Sequence, residues 1–116
     1  MLARIGSTLY GLVMLAALST QAAGAPKWSQ SLIFGIGRES CAEWQSTQIT
    51  ERDGENWILG YWSGVNTANP QNPFVGKSTD GAGIIGETKL ICAKEPSATL
   101  QDATVRIYNR FVNERK

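Results

Sequence analysis

Cys41 and Cys92 are the only cysteines in the chain, and they constrain its fold more than any other pair of residues. Once an export leader is removed, about 94 residues remain, the size of one domain. A domain that small buries a modest core and often needs a covalent staple. In an oxidising compartment an isolated cysteine pair is most simply one disulfide. The bond would close a loop of about 50 residues, for which chain entropy gives roughly 4 kcal/mol. Metal binding fails on ligand supply, because the chain has no histidine and no further cysteine.

The start of the chain supplies the compartment. Arg4 is a positive n-region, and Leu9–Leu18 reads LYGLVMLAAL, an apolar h-region. The small residues of Ser19–Ala25 follow, as a cleavage region needs. Thr20-Gln21-Ala22 fits a small-x-small site with cutting before Ala23. A cut after Ala25 would put Pro26 where the peptidase accepts it badly. The run is short of the roughly 20 apolar residues that a spanning helix wants, which argues for cleavage over anchoring. No cysteine lies near the cut, so no lipid anchor is expected. Residues 1–22 are thus expected to be a secretory signal, and the mature chain to be periplasmic or secreted, with no membrane span. Arg4 leaves with the leader, so eleven basic residues become ten, against ten acidic. That balance gives no field for nucleic acid or an anionic membrane.

The mature chain carries four helical patterns, which predict an all-α, four-helix domain over 38–116. Ser40-x-x-Glu43 is a capping box, and Cys41, Trp44, Gln45 and Gln48 share a face to about Ile49. Asp53-Gly54 is expected to break the pattern. A second helix is expected from about Glu55 to Asn66, with Trp57, Ile58, Tyr61, Trp62 and Val65 inside one arc. Thr67–Gly83 reads as a loop through Asn69-Pro70, Asn72-Pro73 and Asp80-Gly81. A third helix begins near Asp80 to Ile84 and ends before Pro96, with Ile84, Ile85, Thr88, Ile91 and Cys92 on one face. The fourth is capped by Thr99-x-x-Asp102. Leu100, Ala103, Thr104, Ile107, Tyr108 and Phe111 form its apolar stripe, and Asp102 and Arg106 pair on its outer side. The disulfide would then pin helix one to helix three. Residues 23–37, including apolar Leu32–Gly37, read as an extended arm, since a lone strand has no partner.

Motifs for chemistry are weak. Gly76-Lys77-Ser78-Thr79 matches the end of a phosphate-binding loop, but the glycine needed five positions earlier is Gln71. Gly35-x-Gly37 lacks the third glycine of a dinucleotide fingerprint, since that position is Ser40. A serine–histidine pair is impossible without histidine. Glu43, Glu51, Glu55 and Asp80 offer carboxylates, but no spacing singles out two of them. The expectation is a protein that is not an enzyme, with no cofactor and no metal.

Two features stand above background. Trp28, Trp44, Trp57 and Trp62 are many tryptophans for so small a domain. Trp44 and Trp57 read as core. Trp62, at the edge of its arc, reads as partly exposed, able to anchor a protein partner or stack on a sugar. Gly60-Tyr61-Trp62-Ser63-Gly64 is the second feature: Gly60 and Gly64, flanking Tyr61, are expected to let another helix approach closely. The loop from Thr67 to Asp80 is long for a connection that usually takes about 2–8 residues. Its large apolar residues, Phe74 and Val75, with Lys77 close by, have the look of a recognition tip; the alternative is that Phe74 folds back to plug a gap between helices two and three. Trp62, Phe74, Val75 and Lys77 are therefore the candidate partner-binding residues.

Leu59-Gly60-Tyr61-Trp62-Ser63-Gly64-Val65, with Cys41 on the preceding helix, resembles small exported helical proteins of the HdeA-like type. Leu90–Ala103, LICAKEPSATLQDA, is similar to the later part of the Rap1a/Tai branch, where a helix ends at a Glu-Pro or His-Pro turn before a final amphipathic helix. The same order of Cys, Trp, Gly-Tyr-x-Ser-Gly and Cys resembles uncharacterised proteobacterial proteins. The likeness spans roughly residues 38 to 112. It implies a periplasmic protein that binds another protein. In the Rap1a/Tai branch the partner is a type VI secretion amidase; in another branch the role is that of an acid-activated chaperone. The immunity branch tends to carry a further cysteine pair, absent here. The chaperone branch finds no histidine here and no carboxylate cluster for a pH switch. The expected function is protein binding, as an immunity or inhibitor protein against a cell-wall-degrading toxin. The alternatives are a chaperone of the HdeA type, or a peptidoglycan- or glycan-binding protein using exposed tryptophan.

Mass spectrometry of the exported protein is expected to find an N-terminus near Ala23 and a mass lower by two hydrogens than the reduced form. Two free thiols in protein taken from the periplasm would refute the staple.

Overall fold

A computed structural model describes residues 31–114. It holds a 3-10 turn at Gly35–Arg38, then α1 (Cys41–Trp44), α2 (Gln48–Ala68), α3 (Gly81–Lys94) and α4 (Leu100–Asn113). Among the described residues no strand forms; one antiparallel bridge joins Ser40 to Thr99. The fold is all-α with four helices, and a Cys41–Cys92 disulfide joins α1 to α3, its Cα atoms 5.2 Å apart. The expected leader, 1–22, and residues 23–30 of the expected arm lie outside the described residues.

Every helix starts on a side chain that accepts one of its first free N–H groups. Ser40 Oγ accepts from Glu43, Asp80 Oδ1 from Gly83 and Thr99 Oγ1 from Asp102. Thr47 caps α2, and Thr50 Oγ1 reaches back to accept the Thr47 N–H. This last box uses threonine where glutamate or glutamine is usual, so the sequence pattern passes it over. Its consequence is a correction. The first helix does not run to Ile49; it is one turn long, and a new helix begins at Gln48.

Helix α2 runs straight through the expected break at Asp53-Gly54. Gly54 is buried, and a Cβ there would stand 2.1 Å from the Trp44 indole. The indole lies on the bare helix backbone and donates from Nε1 to the Glu51 carbonyl at 2.9 Å. Glycine inside a helix costs about 0.5–1 kcal/mol against alanine. Here burial of the whole Trp44 side chain offsets that cost.

The end of the expected arm is also folded differently. Leu32–Phe34 has no regular structure, but Gly35–Arg38 winds into the 3-10 turn. Gly35 has φ +72°, a conformation that glycine adopts without penalty. Gly37 rests on Trp57, where a Cβ would come within 2.2 Å of the ring. Trp57 Nε1 donates to the Phe34 carbonyl at 3.0 Å. The turn therefore forms on a tertiary partner 20 residues away, which local pattern does not reveal.

The core draws on every helix and the loop: Cys41, Trp44, Ile58, Trp62, Val75, Ile84, Cys92, Leu100, Ala103, Ile107 and Tyr108. Buried Thr88 and Thr104 donate their hydroxyls to the carbonyls of Ile84 and Leu100, so neither leaves an unpaired polar group. Ion pairs stitch the outside. Lys89 joins Glu51 and Glu55 of α2, Arg110 meets Glu87 of α3 at 2.7 Å, and Arg106 meets Glu95 and Asp102. Pairs this exposed contribute about 0–1 kcal/mol each.

The glycine strip needs correction too. Among the described residues a Cβ at Gly60 or Gly64 would meet nothing within 4 Å, so none of the four helices approaches there. The buried arc of α2 points Ile58 and Trp62 inward and turns these glycines outward. Tyr61 does pack: it stacks on Trp57 with centroids 5.5 Å apart and meets Tyr108 edge-on.

Glycine-to-alanine substitutions therefore have opposite signs along one helix. Gly54→Ala is expected to cost about 1–3 kcal/mol, because the indole must move. Gly60→Ala is expected to stabilise by about 0.4–1 kcal/mol through the unfolded chain. Denaturant titration of both variants measures the difference.

Candidate partner-binding surface

The segment Asn69–Asp80 joins α2 to α3 as a string of turns. Bonds from Asn72 N to Asn69 O, Lys77 N to Phe74 O and Thr79 N to Gly76 O define them. In the Phe74–Lys77 turn, Gly76 has φ +89°, at the position where a type II turn needs positive φ. A side chain at Gly76 would also crowd the Trp62 indole, 3.0 Å from its Nε1.

Trp62 sits underneath this turn. It was expected to be partly exposed; it is 4% exposed. Its ring meets Tyr108 and Phe111 edge-on, with centroids 4.9 and 5.7 Å away. Its Nε1 donates to the Val75 carbonyl at 2.8 Å, and Asn66 Nδ2 donates to the same oxygen at 3.1 Å. Tyr108 in turn donates its hydroxyl to Asn66 Oδ1 at 2.7 Å. One carbonyl of the loop is thus held by two side chains of α2, one of them braced from α4. Sequence reasoning missed Asn66. The available clue was its spacing of four residues from Trp62, which puts both on the side of α2 that faces the loop.

The four candidate binding residues therefore divide. Trp62 and Val75 belong to the core, with Val75 3% exposed, and so they present no surface to a partner. Phe74 is 65% exposed, and Lys77 is exposed beside it. Phe74 does not fold back as a core plug: its neighbour Val75 fills the core, and Phe74 stays exposed. Behind Phe74 lies a cleft of about 320 Å³, walled by Leu59, Pro73, Phe74 and Ile84, with Ser63 and Lys77 at its edge.

Elsewhere the ionisable groups serve the scaffold. The hydrogen bond that Lys89 donates to Glu51 is the main cause holding its ammonium above the usual pKa, and the one that Arg106 donates to Glu95 does the same for its guanidinium. Burial raises the phenols of Tyr61 and Tyr108, with Tyr108 adding to the effect on Tyr61. Of the carboxylates that sequence reasoning weighed, Glu51 and Glu55 pair with Lys89, Asp80 caps α3, and Glu43 lies exposed on α1. Among the described residues no three His, Cys, Asp or Glu side chains cluster at metal-binding distance, and no helix is long and apolar enough to cross a membrane. Comparisons with protein-family models, with curated proteins and with solved structures returned no match.

Paired substitutions separate the two halves of the loop. Phe74→Ala is expected to melt close to the parent, since Phe74 is 65% exposed and substitutions at exposed positions usually change stability by about 0.5 kcal/mol or less. Val75→Ala is expected to cost about 2 kcal/mol, for the buried methyls and the cavity they leave. Thermal melts of the two variants test the division.

Proposed function

We propose that this domain is an exported, non-enzymatic protein-binding module that meets its partner through the Phe74 turn, as an immunity or inhibitor protein against a cell-wall-degrading toxin. One observation carries the binding role: Phe74 stands exposed on a turn that Trp62 and Asn66 hold rigid from below. An exposed aromatic on a mobile loop loses much of its binding energy to ordering. Here folding has already met that cost. Aromatic anchors on preorganised surfaces dominate protein interfaces, and loops on rigid scaffolds are where recognition concentrates. The buried disulfide suits a periplasmic or secreted setting. The immunity role rests on the likeness of Leu59–Val65 and Leu90–Ala103 to the Rap1a/Tai branch.

A photo-crosslinking residue placed at Phe74 in the exported protein tests this. The expected result is one adduct of discrete mass, absent when the crosslinker replaces exposed Lys94. Mass spectrometry then identifies the partner, and a cell-wall hydrolase encoded beside this chain decides for immunity. Equal labelling from both positions refutes the binding surface. Suppressed aggregation of many clients in acid, without a discrete adduct, favours a chaperone instead.

A further inference from the structure

We propose that the cleft behind Phe74 seats one apolar side chain of a partner protein, with an aspartate or glutamate beside it pairing with Lys77. This rests on the protein-binding role argued above and names the chemistry of the partner's contact. Leu59, Pro73, Phe74 and Ile84 supply apolar wall; of the polar residues that α2 adds, Ser63 and Asn66, the Asn66 amide is already engaged with Val75 and Tyr108. A volume of about 320 Å³ lies at the small end of the roughly 300–1,000 Å³ typical of ligand pockets. It suits an inserted side chain rather than a whole helix.

The charge follows from the pairing pattern. Arg38, Lys89, Arg106 and Arg110 all stand in ion pairs within the domain. Among the described residues Lys77 forms no ion pair; Arg52 and Lys94 form none either, but of these three only Lys77 lines this cleft. Asp80 also lines it, but its carboxylate accepts the Gly83 N–H at 2.8 Å at the positive end of α3, where the helix dipole offsets its charge. The free charge at the edge is therefore positive, and a partner that buries an apolar group there gains most by bringing a carboxylate.

The test uses the mature, disulfide-bonded protein labelled with nitrogen-15. The probe is the blocked peptide acetyl-Gly-Leu-Asp-Gly-amide, titrated to millimolar concentration. Saturable shifts are expected at the amides of Gly76, Lys77 and Gly81. Replacing the leucine by serine should remove them. Replacing the aspartate by lysine should weaken binding about fivefold, the scale of an exposed ion pair, and Lys77→Glu should reverse that preference. Ser63→Trp should fill the cleft and abolish the shifts. If that variant fails to fold, the reversal by Lys77→Glu decides alone. Shifts centred elsewhere, no saturable shift, or equal binding of the aspartyl, lysyl and seryl peptides would overturn the proposal. A discrete crosslink from position 74 without peptide binding rejects the cleft and leaves the protein-binding role standing. The absence of both rejects the two together.

Discussion

A helix of one turn cannot hold itself, because nucleation fixes several residues for a single internal hydrogen bond. Yet α1 is one turn, and the chain pivots around it. What holds it is a set of bonds converging on residues 39–44. The disulfide ties Cys41 to α3. Cys41 N donates to Ala98 O, Ala42 N to Pro96 O, and Leu100 N to Glu39 O. Trp44 closes the set by lying on Gly54 of α2. Through this single turn α2, α3 and the start of α4 are fixed to one another. The N-caps of α1 and α4, Ser40 and Thr99, meet across the bridge, so two helices start from one clasp.

The loop end of the molecule obeys a different constraint. The disulfide lies outside Asn69–Asp80, and the segment's own backbone hydrogen bonds are local turns. Its position relative to the helices depends on the Val75 carbonyl and its two donors, Trp62 and Asn66. Two side-chain donors on one buried acceptor fix both the height and the rotation of the turn. Rotation matters because Phe74 and Val75 are neighbours with opposite fates. With the Val75 side chain drawn into the core, Phe74 has to stand outside. The exposure of Phe74 is therefore a consequence of core packing rather than of a loose loop.

The parts of the fold legible in the sequence are those with a local cause. Thr99-x-x-Asp102 and the stripe from Leu100 to Phe111 specify α4, and Pro96 sets the end of α3. The cysteine pair is read correctly from redox context and count. What escaped was tertiary. Gly54 looks like a breaker until Trp44 is known to need its bare backbone. Gly60 and Gly64 look like a packing strip, but glycine periodicity alone does not say whether a neighbour exists on that side. Phe74 and Val75 lie in a run of turns without period, so no pattern tells inside from outside. The bonds that reach this turn from Trp62 and Asn66 come from 13 and 9 residues away from Val75, beyond any local pattern.

These two constraints divide the work of the domain in space. The disulfide clasp limits how far the helices can separate, and the aromatic cluster of Trp62, Tyr108 and Phe111 supports the opposite end. A surface built on that cluster inherits its rigidity, while its outer residues remain open to change. Phe74 and Lys77 are both exposed, and the bond from Lys77 N to Phe74 O closes the turn that carries them. A scaffold of this kind can vary the exposed side chains at positions 74 and 77 without removing the buried carbonyl of Val75 or its two donors.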